Sequence, residues 1–133
     1  MRRTHYLIVA LAIIVLDAWT KWLVAARIGL NDSVTLVPDF FQLVHVRNTG
    51  AAFGIGANAT SQFVPLLLNV GAIGNLIDRF RLGYVVDFLD VYVNVGGRPH
   101  HWPAFNVADS AICIGICLLF LDMKRRPEAE SIA

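Results

Sequence analysis

AFNVADSAICIGICLLFL, residues Ala104 to Leu121, is almost wholly apolar after Asp109. A run of that kind suits lipid better than a water-facing surface, so it reads as a membrane helix. A carboxylate, Asp109, stands at its entrance, and an amide, Asn106, lies three residues earlier. Three apart on a helix means one face. Asn106 is a good N-cap, and an acidic residue in the first turn suits the helix dipole. That is the plain reading of the pair. The sharper one makes Asp109 part of a chemical site at the membrane surface.

Composition supports a membrane setting. Of the 133 residues, 56% are hydrophobic and only 16% are charged, which is less charge than a soluble domain of this size carries. The length allows one domain, taken as residues 1–133. The formal net charge of +1 gives no reason to expect nucleic acid as a partner. The basic residues cluster at the ends, Arg2 and Arg3 at one and Lys124, Arg125 and Arg126 at the other. Each cluster flanks an apolar run, which places both termini in the cytoplasm.

Working outward, HYLIVALAIIVLDAWTKWLVA (His5 to Ala25) reads as a first helix, near 5–25. Asp17 and Lys21 interrupt it before any cleavage site, so it is expected to be retained rather than removed as a signal peptide. Residues 27–58 contain the strand-like pieces SVTLV and FFQLVHV and form the β and loop region outside that helix, with turns marked by Pro38, Gly50, Gly54 and Gly56. A second helix is expected near 62–80, although Pro65, Asn69, Gly71, Gly74 and Asn75 make it a marginal span. YVVDFLDVYVNV (Tyr84 to Val95) suits a strand or a short interfacial helix, and GGRPHHWP a loop. The third helix is expected near 106–123. The fold class is therefore mainly α: a polytopic membrane helix bundle with a small extracytoplasmic β-sheet. Three spans in simple alternation put the termini on opposite sides, in conflict with the two basic ends.

Acidic groups beside lipid usually have a partner or a task. Asp17 and Lys21 are four apart, which allows an ion pair with Lys21 reaching toward the interface, or a role in orienting a site. Asn75 and Asp78 repeat the N-x-x-D spacing of Asn106 and Asp109. Asp87 lies between Val86 and Phe88, whereas Asp90 reads as solvated and Asp90→Asn as harmless. If Asp87 and Asp109 meet, one carboxyl keeps a proton, and the pair can act as general base and general acid without a metal. The spacing itself does not bring them together, since 21 residues intervene. The four histidines show no metal-ligand spacing, so neither a metal nor another cofactor is expected. Cys113 and Cys117, on one helix face, read as reduced packing residues.

DAWTK (Asp17 to Lys21), RNTGAAFG (Arg47 to Gly54), GNLIDRFRLGYVVDF (Gly74 to Phe88) and FNVADSAI (Phe105 to Ile112), in this order, resemble the lipoprotein signal peptidases, signal peptidase II. The likeness extends over most of the chain. It implies a membrane aspartic endopeptidase that cuts prolipoproteins before a cysteine already carrying a diacylglyceryl group. The catalytic pair would be Asp87 and Asp109, with Asp17, Asn48, Gly50, Asn75, Arg79 and Asn106 in supporting or substrate-binding roles. It implies a monomer in contact with membrane lipid, in the bacterial cytoplasmic membrane, with its site near the outer face. One departure is minor: Ala18 stands where the family usually has Gln. A larger one lies between NTGAAF and GNLID, where roughly 30 residues of a four-helix family, about one helix and its loop, are missing. The competing expectation is a shortened, non-catalytic relative that at most binds lipoprotein precursors. A carrier of protons or ions would need carboxylates spread through the bilayer depth, and here they gather at helix ends.

Overall fold

The computed structural model describes residues 3–49 and 63–125, with side chains given from residue 66 onward in the second part. Three helices and four strands follow in the order α1 (Arg3–Arg27), β1 (Ser33–Val37), β2 (Phe41–Asn48), α2 (Phe63–Leu82), β3 (Val85–Val95), β4 (Arg98–His101) and α3 (Val107–Arg125). The strands form one antiparallel sheet in the order β1-β2-β3-β4. The helices expected near 5–25, 62–80 and 106–123 are present.

The sheet is larger than the 27–58 region suggested. β1 and β2 fill that region, but β3 and β4 complete the sheet. Tyr84 to Val95 resolves as strand for most of its length, as its β-branched and aromatic residues favour. GGRPHHWP is not simply a loop. Gly96 and Gly97 turn the chain at φ of 59° and 76°, where glycine carries no Cβ penalty, and Arg98–His101 then pairs back on β3.

α1 is inside-out by the standards of a soluble protein. Its buried residues are Asp17, Lys21 and Val24, while Leu7, Ile8, Leu11, Val15, Trp19 and Trp22 are exposed. Apolar side chains outside and charges inside are stable only where the surroundings are themselves apolar. Among the described residues, α1 is the one helix long and apolar enough to cross a membrane by length and composition. The apolar core between α1 and the sheet comprises Val24, Ile28, Val86 and Phe88, with Leu43, Tyr84, Leu89 and Val107 packed on it.

Helix directions follow from which residues meet. Gly74 faces Asp17, and Lys21 bonds Asn75 and Asp78, so α1 and α2 run parallel. Asn75 bonds Asp109, Gly71 faces Ile112, and Gly115 faces Leu67 and Leu68, so α3 runs antiparallel to α2. The Arg3 end of α1 and the Lys124–Arg125 end of α3 therefore lie at the same end of the bundle. The expectation that three helices put the termini on opposite sides fails because α1 and α2 point the same way.

The glycines and Pro65 that make α2 a marginal span on paper do not break it. Pro65 lies in the first turn, where no helical partner is lost. Gly71 and Gly74 sit where neighbouring helices come closest, the use of small residues common between membrane helices. A Cβ on Gly71 would lie 2.4 Å from the carbonyl oxygen of Ala108 and 2.7 Å from Cγ1 of Ile112. The carbonyl belongs to the first turn of α3, next to Asp109, and cannot rotate away. Gly71→Ala is expected to destabilise the protein by about 1–3 kcal/mol through overpacking, while Ile73→Ala, on the outward face, leaves stability nearly unchanged. Thermal unfolding of the two variants in detergent checks this.

Cys113 and Cys117 are free and exposed on α3, so they are not packed inside the bundle as their helical spacing suggested.

Candidate active site

The start of α3 is built around Asn106, which has no exposed surface. As N-cap, its Oδ1 accepts the Asp109 N–H at 2.9 Å, and its own N–H donates to Asp109 Oδ2 at 3.2 Å. This is a capping box with aspartate in the reciprocal place. A second anion serves the same helix end: Asp17 Oδ1 accepts the Ala108 N–H at 2.9 Å, which joins α1 to α3.

The Asn106 side chain does more than cap. Its Nδ2 donates to Asp87 Oδ1 at 2.9 Å, to Asn75 Oδ1 at 3.2 Å and to the Val86 carbonyl at 3.4 Å. One residue thus touches both Asp87 and Asp109, on β3 and α3. Asp87 is held from its other side by Asn48 Nδ2 at 3.0 Å, supplied by the end of β2. Asp109 is held from α2 by Asn75 Nδ2 at 2.7 Å. Each carboxylate therefore accepts two N–H groups, and each oxygen keeps lone-pair capacity for a proton or water. Asp87 is buried, while Asp109 is half-buried and more open.

Burial pushes the Asp87 carboxyl above the ordinary carboxylate range. The charge of Asp109 pushes in the same direction, while the bonds from Asn48 and Asn106 pull back. The arrangement suits a carboxyl pair in which Asp87 keeps a proton.

Behind the pair lies a buried ion cluster. Lys21 Nζ contacts Asp17 Oδ2 at 2.6 Å, Asp78 Oδ2 at 2.5 Å and Asn75 Oδ1 at 3.0 Å. Lys21 is only 5% exposed, so it does not snorkel to an interface; it bridges α1 and α2. By holding Asn75 Oδ1, it leaves Asn75 Nδ2 free to face Asp109. No buried side-chain nitrogen or oxygen among the described residues lacks a partner.

Most candidates from the sequence thus converge. Asp17, Asn48, Asn75, Asp87, Asn106 and Asp109 form one network. Arg79 sits one turn beyond Asn75, and its Nη1 lies 3.5 Å from the Asn75 carbonyl oxygen. Gly50 lies outside the described residues. Lys21, expected to pair with Asp17 or to help orient a site, does pair with it, and Asp78 of the second N-x-x-D joins the same network. The spacing shows each pair on its own helix, but not that Lys21 reaches across to Asn75 and Asp78. Asp90 is not solvated. It is 5% exposed and accepts hydrogen bonds from Gln42 and His101, because its side of β3 is covered by the neighbouring strands. Among the described residues, no group of three or more His, Cys, Asp or Glu side chains is placed to hold a metal ion.

An apolar-coated helix bundle with a polar interior and a linked pair of carboxylates defines a class: a membrane-associated protein equipped for acid–base work. Comparison with known proteins narrows this. The family profile described as Signal peptidase (SPase) II matches residues 9–70 and 61–125. The lipoprotein signal peptidase of Syntrophus aciditrophicus (strain SB) is 38% identical over 158 residues, covering 95% of this chain and 96% of the relative. That of Geobacter metallireducens (strain ATCC 53774 / DSM 7210 / GS-15) is 40% identical over 154 residues, covering 93% of each. A solved bacterial membrane enzyme, determined by the in meso method at 1.9 Å resolution, superposes with a TM-score of 0.75 at 28% identity, covering 94% of this chain and 96% of that one. The chain belongs to the signal peptidase II family of aspartic peptidases.

The alignments also bear on the short interval. The Syntrophus alignment is 158 residues long against 133 here, so at least 25 residues of the relative have no counterpart. The two pieces of the family match meet within residues 61–70, in the interval that is short by the sequence reading.

Proposed function

We propose that this chain is an active lipoprotein signal peptidase. It removes signal peptides from diacylglyceryl-modified prolipoproteins, cutting before the lipidated cysteine. It forms a single domain in the bacterial cytoplasmic membrane, crosses it more than once and places the sheet and the carboxylate pair near the outer face. The observation that carries this reading is the bridging of Asp87 and Asp109 by Asn106. The parallel course of α1 and α2 supports the sidedness, because it sends both basic helix ends to the face opposite the sheet. A non-catalytic relative would have no need to keep two carboxylates so fully furnished with donors.

In this reading Asp109, the more open of the two, takes a proton from the attacking water. Asp87, protonated, donates a hydrogen bond to the scissile carbonyl as the tetrahedral oxyanion forms. Asp109 passes the proton it took from water to the nitrogen of the lipidated cysteine, the C–N bond breaks, and the signal peptide leaves with a new terminal carboxyl while Asp87 keeps its proton. Asn48, Asn75 and Asn106 hold the carboxyls in place, and Asp17 fixes the start of α3. Arg79 and Gly50 are assigned to substrate contact. The substrate and membrane lipid are the partners, and the protein works as a monomer without metal, cofactor or nucleic acid. Cleavage of a diacylglyceryl-modified prolipoprotein by the purified chain tests the function, and absence of product from folded protein would defeat it.

The raised Asp87 carboxyl predicts an alkaline limit to activity: turnover falls where Asp87 loses its proton and the acid is lost. Asn48 donates to the Asp87 carboxylate and so stabilises the ionised form. Asn48→Ala should therefore raise the Asp87 pKa further and move the alkaline limb to higher pH. A limb that stays in place or moves down would reject Asp87 as the proton-holding member.

A further inference from the structure

A third carboxylate on the sheet, Asp90, is buried and unused by the reaction as described. Gln42 Nε2 donates to its Oδ2 at 2.6 Å from β2. The His101 ring reaches it from the end of β4, with Nδ1 2.8 Å from Oδ2 and 3.0 Å from Oδ1. A carboxylate only accepts, so Nδ1 carries the hydrogen. The same ring stacks on Tyr92, with centroids 5.0 Å apart and planes 20° apart.

His101 begins the short strap that leads to Asn106. Along it, the Trp102 N–H donates to the Val91 carbonyl at 2.8 Å. Phe105 and Leu89 exchange bonds at 3.0 and 2.8 Å, and the Phe88 N–H also donates to the Phe105 carbonyl at 3.0 Å. Pro103, between these anchors, has no N–H to contribute. Phe105 is followed by Asn106, whose side chain joins Asp87 to the start of α3.

We propose that Asp90 and His101 form a latch that holds this strap in register on β3 and thereby positions Asn106 and Asp109 against Asp87. Both are positioning residues, and their effect on turnover rests on the peptidase reading above. The latch closes a path from the sheet to the catalytic pair. Asp90 anchors it to the same strand as Asp87, three residues further on. A strap that slips moves the cap of α3, and Asp109 moves with it.

The test compares three variants of the full chain. His101→Phe keeps a ring over Tyr92 but has no donor. His101→Asn has a side-chain N–H close to where Nδ1 stood but no ring. Asp90→Asn puts an amide N–H group where the two donors arrive. Backbone hydrogen exchange over residues 101–106 reads the strap without reference to activity, and kcat and KM for prolipoprotein read the site. His101→Phe and Asp90→Asn should each speed exchange in the strap and lower kcat by about tenfold, the size of one lost hydrogen bond to a charged group, with KM little changed. His101→Asn should recover most of both. Unchanged exchange in His101→Phe overturns the latch. So does faster exchange with kcat intact, or His101→Asn as impaired as His101→Phe. If exchange responds as expected but the unmutated chain does not cut, the latch stands and the peptidase reading fails.

Discussion

Asp87→Asn and Asp109→Asn are each expected to reduce prolipoprotein cleavage by roughly 10^3-fold, within the range that general acid–base groups contribute. The folded protein should survive both changes. An asparagine at 109 still offers one oxygen to Asn75 Nδ2 or to the Asn106 N–H, and one at 87 still accepts from Asn48 or Asn106. Each variant therefore loses about one hydrogen bond, on the order of 1 kcal/mol, while losing the ability to exchange a proton. The measurement is the single-turnover rate on a diacylglyceryl-modified substrate, with folded protein quantified alongside. Residual activity near the unmutated level in either variant would remove that aspartate from the catalytic pair. Loss of activity that tracks loss of folded protein would assign it a structural role instead.

Lys21→Met is expected to cause the largest loss of stability. Among the described residues, the lysine ammonium is the one group that contacts Asp17, Asp78 and Asn75 together. Methionine fills a similar volume but leaves two carboxylates facing each other inside the bundle. Breaking a buried pair by removing one partner costs about 3–5 kcal/mol, because the remaining charge is uncompensated. In a chain of this size that corresponds to a Tm lower by on the order of 10–20 °C. Cleavage should fall as well, since Asn75 loses the contact that orients it and Asp17 is disturbed where it caps α3. Adding Asp17→Asn and Asp78→Asn to Lys21→Met should recover part of the stability, as no charge then remains within this cluster. Thermal unfolding of the single and triple variants measures this, and a Lys21→Met protein that melts with the unmutated chain contradicts the cluster as described.

Asp90 shows how a sequence reading can place a residue on the wrong side of a strand. Asp87 and Asp90 both occupy β3 among apolar neighbours, and nothing local distinguishes a carboxylate that faces water from one covered by adjacent strands. The cover comes from Gln42, opposite Asp90 on β2, and from His101, opposite Tyr92 on β4. Because β4 read as a loop, its histidine had no place beside Asp90. The same dependence on pairing explains Lys21. A lysine one turn from an aspartate on an apolar helix suggests a local ion pair at an interface, and only the parallel packing of α2 brings Asp78 and Asn75 to it.

Much could be derived from the chain alone. Apolar runs bounded by charge specify three helices, because each must satisfy its own backbone in an apolar setting. The N-x-x-D spacing at Asn106 and Asp109 specifies a capped helix start, because the contact is local. Four ordered motifs point to the family, and with it to Asp87 and Asp109. The tertiary structure decided which helices run parallel, and hence that Arg3 and Lys124 share one end of the bundle. It also decided that the amide of Asn106 reaches Asp87 across 19 residues, that Asn75 reaches Asp109 across 34, and that Asp17 reaches the backbone of Ala108 across 91. Local spacing sets which side chains share a helix face. It carries no information on which faces meet, because that depends on the close approach allowed at Gly71, Gly74 and Gly115 and on strand pairing between distant segments.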